Sequence, residues 1–258
     1  SGVVQWVYTA GGTGRDRGRK IALDSSGNIY VVGYYQNTVD FGGGNVTSNG
    51  NFDAFILKLN SSGTFQWVKS YGGSTGNDLG RDVVVKSNDN VIMLGTFRGT
   101  VNFDSGDGGG VVNYTSNDYD VFLIELNSSG IWQCVWNTEN TGSADARALA
   151  IDSNNVAYLT GTFSGTVKFG SNTVTAANSN DLFIHKINLC NAQTQITYTS
   201  NIDTTQKAKG ISVDSSGNIY ATGTFQNTVN FGGGNITSSG KDIYCLLYTS
   251  PSPRDGLL

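Results

Sequence analysis

The sequence has few of the residues on which catalytic triads and metal sites depend. It contains one histidine, three cysteines, one methionine and two prolines among 258 residues. A Ser-His-Asp triad or a zinc centre would need a placed nucleophile with its base, or several His and Cys ligands. No apolar run approaches the roughly 20 residues of a membrane-spanning helix. The net charge of −4 offers no basic face to nucleic acid. We therefore expect neither a nucleic-acid partner nor a membrane span in this fragment.

The C-terminal residues differ from the rest of the chain. Residues 245–255 match the translation of a transposase sequencing-library adapter, so we expect 245–258 to be a non-native tail. Both prolines and one cysteine lie in this tail. The other two cysteines, Cys134 and Cys190, occupy non-equivalent places in different repeats. We expect them to be unpaired residues of a strand and a turn; a disulfide or a metal pair is the alternative.

Glycine, by contrast, is abundant, with 35 residues, and much of it recurs in a repeat. Residues 27–44 return almost unchanged as 217–234, and looser copies cover 90–103 and 155–169. Each repeat is roughly sixty residues long, a period typical of stacked supersecondary units that bury their apolar faces only against one another. The sequence therefore predicts an all-β protein, a partial β-propeller of four-stranded blades.

Each repeat predicts four strands joined by tight turns. A short apolar run is followed by a turn such as Asp24-Ser25-Ser26-Gly27-Asn28, whose Gly and Asn tolerate positive φ. The second strand carries a glycine at the same place in every repeat, which indicates close backbone approach or a bulge; these glycines are Gly33, Gly95, Gly161 and Gly223. Runs such as Val91-Ile92-Met93-Leu94 are apolar on consecutive residues, as expected of strands covered on both faces.

The repeats divide the chain into blades. We predict an orphan fourth strand at residues 1–12, complete blades at 18–73, 80–138 and 146–200, and an incomplete blade at 208–244. About four blades are thus present, and a larger ring would need further ones. A closed four-bladed propeller, with residues 3–10 completing the last blade, is the alternative.

The pattern Asp-Ser-Ser-Gly-Asn-Ile-Tyr, then Asp53-Ala-Phe-Ile-Leu-Lys-Leu-Asn-Ser-Ser-Gly63, then Gln66-Trp67-Val68 resembles the bacterial SBBP repeat family, named for seven-bladed β-propellers. The resemblance covers residues 1 to 244. It is looser in the second repeat, where Lys86 replaces the aspartate of the turn, and in the third, where Cys134 replaces Trp67. It implies a propeller that is extracellular or attached to the cell surface, and it implies no particular activity.

Acidic and aromatic residues at repeated places are interpreted as structural. An aspartate precedes each third strand, at Asp53, Asp120, Asp181 and Asp242, and we expect each to accept backbone N–H bonds from its own turn; calcium binding is the alternative. Trp6 and Trp67 are expected to dock one blade on the next. His185, in a third strand, is expected to be a packed side chain.

The candidate cofactor is calcium. Asp104 and Asp107 lie in an insertion of the second repeat, and short Asp/Gly segments can supply oxygen ligands. The full calcium-loop spacing and its distal Glu are lacking, so a solvated loop is the alternative. The sequence otherwise predicts no cofactor and no catalytic residue.

The leading functional hypothesis is a non-catalytic, secreted or surface-displayed propeller that acts as a binding module or a rigid scaffold. Its partner would be an extracellular glycan or a protein, bound at the variable loops 42–52, 104–119 and 170–180. One alternative is a carbohydrate-active lyase or hydrolase with active residues in missing blades. An acidic pair or a Tyr/His/Arg set that occurs once and points into the central channel would favour it. The other is an intracellular protein-interaction propeller.

Overall fold

The structure is a computed structural model that describes residues 2–104, 112–177, 180–191, 193–200 and 206–249. Every regular element in these ranges is a β-strand, and all paired strands are antiparallel, in agreement with the predicted fold class. Among the same residues there is no helix of the length and apolarity needed to cross a membrane. The chain divides into two compact units, Ser1–Thr141 and Gly142–Leu258.

The strands of the first unit alternate with short turns. They are β1 (Gly11–Gly12), β2 (Arg17–Leu23), β3 (Ile29–Tyr35), β4 (Thr38–Asp40), β5 (Asn45–Thr47), β6 (Asp53–Leu59), β7 (Phe65–Tyr71), β8 (Leu79–Val85), β9 (Val91–Asn102), β10 (Asn113–Leu126), β11 (Trp132–Asn137) and β12 (Glu139–Asn140).

Two four-stranded blades make up most of this unit. Strands β2-β3-β6-β7 form the first blade, and β8-β9-β10-β11 form the second. Strand β8 of the second blade packs against β2, β3 and β6 of the first. Their shared core includes Tyr30, Ile56, Val83, Met93 and Phe122. All seven residues of β6 are buried, which explains why its sequence does not alternate between polar and apolar residues.

The recurring glycine of the second strand lies opposite a bulge in the innermost strand. Gly33 pairs with Gly18, and the register of β2 shifts between Gly18 and Lys20. A Cβ atom at Gly33 would lie 1.9 Å from the carbonyl oxygen of Arg17. The equivalent pairings in the later sheets are Gly80 with Gly95, Ala146 with Gly161 and Ala208 with Gly223.

In three of the four repeats the turn after the innermost strand is organised by its first side chain, an aspartate (Asp24, Asp152 or Asp214). One carboxylate oxygen of Asp24 accepts the N–H groups of Ser26 and Asn28 at 3.0 and 2.8 Å, and the other accepts the Asn28 side-chain amide at 2.8 Å. Gly27 has a φ of 76°, which explains why this place favours glycine. Ser25 also donates its N–H and hydroxyl to Asp89, in the corresponding turn of the second blade, at 3.0 and 2.9 Å.

The second unit repeats the same organisation. Its strands are β13 (Ser143–Ile151), β14 (Ala157–Ser164), β15 (Thr166–Phe169), β16 (Asn172–Thr175), β17 (Asp181–Asn188), β18 (Gln193–Thr199), β19 (Lys207–Val213), β20 (Ile219–Asn230) and β21 (Asn235–Tyr248). Strands β13-β14-β17-β18 form a four-stranded sheet, and β19-β20-β21 form a three-stranded sheet. Strand β19 packs on β13 and β14, with Tyr158, Ile184, Ile219 and Ala221 in the core between them.

Strand β21 continues beyond the predicted end of the repeat. It pairs with β20 as far as Tyr248, which lies opposite Ile219. The first residues of the predicted non-native tail therefore continue a strand, because backbone pairing imposes little on side-chain identity. Residues 250–258 lie outside the described part, and the foreign origin of the tail stays a prediction.

The structure corrects two expectations. Residues 2–10 form no strand, and only Gly11–Gly12 of the predicted N-terminal strand pairs, with β4. A fourth strand needs the third strand of its own blade beside it; instead, Tyr8 of this segment packs on the apolar cluster around Phe41. Cys134 and Cys190 are disulfide-bonded rather than unpaired, whereas Cys245 is a free, exposed thiol. Spacing in the sequence carries no information about whether a cysteine is disulfide-bonded.

Candidate functional site

Arginines surround the hydroxyl group of Tyr34 at the end of β3. Arg17 is directly opposite Tyr34 in the strand register, and Arg19 is the extra residue of the β2 bulge. The Arg19 guanidinium lies 5.4 Å from the centre of the Tyr34 ring. Phe52 meets the same ring edge-on, with centroids 5.0 Å apart. We call Arg15, Arg17, Arg19, Tyr34 and Phe52 the Tyr34 cluster.

The arginines change the acidity of this phenol. Burial by itself would raise the pKa of Tyr34, but hydrogen bonds with Arg17 and Arg19 and the charges of Arg15 and Arg19 outweigh burial, and the pKa is lowered. Positive charge favours the ionised form of an acid. The cluster therefore combines a buried hydroxyl group with a locally positive potential, and Arg15 and Arg17 are exposed.

A row of side-chain amides continues from the cluster across the first unit. The amide nitrogen of Gln36 donates to Asn51 at 2.7 Å, and that of Asn51 donates to Asn77 at 2.6 Å. The Asn77 amide donates in turn to the hydroxyl of Tyr119 at 3.3 Å. We call Gln36, Asn51 and Asn77 the amide row. It begins at the first blade and ends at the second, and it is at least partly exposed along its length.

Backbone contacts join the amide row to the Tyr34 cluster. The N–H of Arg15 donates to the side-chain oxygen of Gln36 at 3.4 Å. Phe52 and Asn77 form an isolated parallel bridge, and the Phe52 carbonyl accepts the N–H of Asp78 at 2.8 Å. The two groups therefore form one continuous surface at the loop end of the first unit.

Buried carboxylates lie beneath this surface and hold its loops. Asp78 accepts the N–H groups of Gly73 and Arg98 at 2.9 and 3.0 Å. Burial, together with the nearby negative charge of Asp53, raises the pKa of Asp78 to about 7 despite these hydrogen bonds. Asp53 accepts the N–H of Asn49 at 3.0 Å, and burial raises its pKa as well. These groups fix the loops that present the amide row.

The other aspartates before third strands differ in their surroundings. Asp120 is buried and accepts the Thr138 hydroxyl at 2.7 Å, and burial raises its pKa to about 6. Asp181 is buried and accepts the N–H of Ala177 at 2.9 Å. Asp242 is exposed, because its sheet has only three strands.

The calcium candidates are only partly described by the structure. Asp104 is buried, and its N–H donates to the side-chain oxygen of Asn102 at 3.0 Å. Asp107 lies outside the described residues. Calcium binding therefore stays a hypothesis of the sequence.

Trp6 and Trp67 each lie against a glycine in a turn of the blade that follows. A Cβ atom at Gly130 would lie 2.9 Å from the Trp67 indole, and one at Gly63 would lie 2.7 Å from that of Trp6. Trp67 also donates its ring N–H to the Ser128 carbonyl at 3.3 Å. This geometry joins each tryptophan to the Ser-Ser-Gly turn that follows it by one repeat.

His185 is fully buried in β17 beside Phe169, with ring centroids 5.2 Å apart. Burial lowers its pKa to about 3. The imidazole is therefore neutral near pH 7, as a packed side chain.

The Tyr34 cluster was not predicted, although the sequence carries a signal for it. The residue after the recurring glycine is threonine in the other repeats, at Thr96, Thr162 and Thr224, and tyrosine only at Tyr34. Positions that recur in every repeat are mostly structural, whereas a site that occurs once lies where one repeat departs from the others.

Comparison with known proteins identifies a β-propeller repeat in the chain. Residues 5–34 match the family model of the SBBP beta-propeller repeat, so the recognition of this repeat is confirmed. A WD repeat-containing protein of Acanthamoeba polyphaga mimivirus, described as uncharacterized, is 25% identical over 240 residues; the match covers 80% of this chain and 17% of that protein. A catalytically inactive virginiamycin B lyase from Staphylococcus aureus, solved with quinupristin, aligns over 92% of this chain and 71% of its own, with 12% identity and a TM-score of 0.36.

Proposed function

We propose that this β-propeller repeat protein is a non-catalytic binding module whose ligand face is the loop end of the first unit. The amide row is the observation that carries the proposal. Its side chains are partly exposed and already held by one another at 2.6 and 2.7 Å. Preorganised polar groups lose less conformational freedom on binding than mobile ones. Amides both donate and accept hydrogen bonds, which suits the hydroxyl groups of a glycan.

We further propose that the protein works outside the cytoplasm, in the extracellular space or at the cell surface. The disulfide-bonded state of Cys134 and Cys190 supports this location, because disulfides persist mainly in oxidising compartments. The resemblance to SBBP repeats implies the same location. Fractionation of a cell that expresses the full gene would test it, and recovery of the protein in the cytosol with reduced thiols would contradict it.

A glycan array probed with the folded chain tests the binding function. Asn51→Ala and Gln36→Ala remove amides from the row, and Asn172→Ala removes an exposed amide from β16 of the second unit as a matched control. We expect the first two variants to lose most of the array signal and the control to keep it, with similar melting temperatures. An array without signal for the folded wild-type chain would contradict a carbohydrate role.

A protein-interaction propeller is the second candidate. The 25% identity to a WD repeat-containing protein is the observation that favours it. In that case the same surface would take a polypeptide, and purification of a stoichiometric protein partner whose binding is lost in Asn51→Ala would distinguish this function from glycan binding.

A further inference from the structure

We propose that the Tyr34 cluster binds the carboxylate groups of an acidic polysaccharide, a uronate polymer. This inference rests on the proposed binding function and names its ligand class. It depends on the positive charge of the cluster and on the neighbouring aromatic and amide groups.

The arginines of the cluster are directed at one phenol and have little opposite charge of their own. Arg17 is opposite Tyr34 in the strand register, and the Arg19 guanidinium lies 5.4 Å from the centre of the Tyr34 ring. Asp16, which lies between Arg15 and Arg17 in the sequence, uses its carboxylate to accept the N–H groups of Gly12 and Gln36 at 2.8 and 3.2 Å. The Nε atom of Arg19 is buried and has no hydrogen-bond partner among the described residues. A bound carboxylate would supply the acceptors that guanidinium groups bind best, in the bidentate geometry typical of Arg.

The Arg19 position carries a cation in every repeat. The register of each innermost strand shifts at one residue, and that residue is Arg19 in β2, Arg81 in β8, Arg147 in β13 and Lys209 in β19. Within the first unit, Arg19 and Arg81 therefore belong to adjacent innermost strands. The whole chain has only 16 Lys and Arg residues and a net charge of −4. In β13, Arg147 forms an ion pair with Asp145, so the repeated place does not by itself indicate a ligand, and the inference is confined to Arg19 and its neighbours.

The surroundings of the arginines fit a sugar acid better than a lone anion. A uronate carries a carboxylate, several hydroxyl groups and an apolar C–H face. The half-buried ring of Phe52 contacts Tyr34 at 5.0 Å between centroids and is the aromatic surface nearest the arginines. The amide row begins at Gln36, which accepts the N–H of Arg15. Charge, aromatic surface and amides thus follow one another along one face, as the chemistry of a polyuronate requires.

Calorimetric titration of the full chain tests the assignment. The probes are an oligogalacturonate and the same oligomer with its carboxyl groups methyl-esterified, which keeps the shape and removes the charge. The variants are Arg17→Gln, Arg19→Gln and Tyr34→Phe, and Lys241→Gln is a charge-matched control at an exposed residue of β21. Tyr34→Phe keeps the ring and removes only the hydroxyl.

We expect the free acid to bind and the ester to bind at least about tenfold more weakly, since a hydrogen bond to a charged group contributes roughly 1.5–3 kcal/mol. Each arginine variant should lose a similar factor, and the control should bind as the wild type. Rising salt concentration should weaken binding of the acid.

The outcomes separate the inference from the function on which it rests. Equal affinity for acid and ester, or full affinity in the arginine variants, would overturn the carboxylate site; loss of that binding in Asn51→Ala would still support the binding function. Binding confined to sulfated oligosaccharides would likewise overturn the assignment to uronates. No binding of any glycan by the folded chain would overturn this inference and the carbohydrate role, whereas a protein partner whose binding is lost in Asn51→Ala would still support a binding module. Release of unsaturated uronates, abolished by Tyr34→Phe, would show a lyase and overturn the non-catalytic proposal.

Discussion

The buried carboxylate of Asp78 should make the folded chain less stable as the pH rises. Its pKa is about 7 in the folded state, against an ordinary value of 3.8. The folded state therefore holds a proton that the unfolded chain releases near pH 4. The stability contributed by protonated Asp78 is complete below about pH 4 and is lost as the pH rises through about 7. A difference of roughly 3 pKa units corresponds to about 4 kcal/mol.

Asp78→Asn removes this dependence, because an amide does not ionise. The amide oxygen replaces only part of the acceptor capacity that Gly73 and Arg98 use, at a cost of about 1 kcal/mol. We therefore expect the variant to be about 1 kcal/mol less stable than the wild type below about pH 3, about equally stable near pH 4.5, and up to about 3 kcal/mol more stable above pH 8. Urea unfolding followed by tryptophan fluorescence at a series of pH values gives both free energies.

Asp16→Asn is the matched control for this experiment. Asp16 also accepts two backbone N–H groups, from Gly12 and Gln36, but it is only half-buried. This variant reports the effect of losing an acceptor by itself. If the stability difference between Asp78→Asn and the wild type stays constant from about pH 4.5 to about pH 8, the assignment of a high pKa to Asp78 is wrong.

Three further measurements test the packing and the covalent structure. Gly130→Ala should lower the free energy of unfolding by about 2 kcal/mol or more, because the φ of Gly130 is +79° and its Cβ would lie 2.9 Å from the Trp67 indole. Gly44→Ala is the control: its φ is +107° and nothing lies within 4 Å of its Cβ, so we expect a loss of only about 1 kcal/mol. Equal losses in the two variants would contradict the docking contact. The pKa of His185 is lowered from 6.5 to about 3, so the free energy of unfolding should fall as the pH drops below about 6.5. His185→Leu should reduce that fall. Identical dependence of stability on pH in the variant and the wild type from pH 7 to about pH 5 would contradict the lowered pKa. Without reductant, only the Cys245 thiol should react with a thiol reagent. Reduction should then lower the free energy of unfolding by about 2 kcal/mol or more. Reaction of all three cysteines in the absence of reductant would refute the disulfide-bonded state of Cys134 and Cys190.

The strands and their turns could be predicted from the sequence because their causes are local. The Asp24 turn depends on a side chain that reaches N–H groups two and four residues away, and a strand buried on both faces shows it in consecutive apolar residues such as those of β6. The strand predicted at residues 1–12 does not form at residues 2–10, because its cause is not local. Strand pairing needs a partner, and local sequence does not reveal whether a partner is present.

The candidate site could not be predicted because it joins residues that are distant in the sequence. The amide row brings Gln36, Asn51 and Asn77 within hydrogen-bond distance only after the loops of two blades have been placed. The high pKa of Asp78 likewise depends on the folded chain, because it results from burial and from the negative charge of Asp53 in the first blade. The disulfide-bonded state of Cys134 could not be predicted either, because only the folded chain brings one cysteine within reach of another.

The contact of a tryptophan with the glycine of the following turn has a consequence for how such chains grow. One repeat supplies Trp67, and the same repeat presents Gly63 to the tryptophan that precedes it. A duplicated copy therefore arrives with both partners of its junctions and can be inserted without compensating substitutions. Unequal recombination can lengthen or shorten the array in whole repeats, while single-copy positions such as Tyr34 diverge to take a ligand.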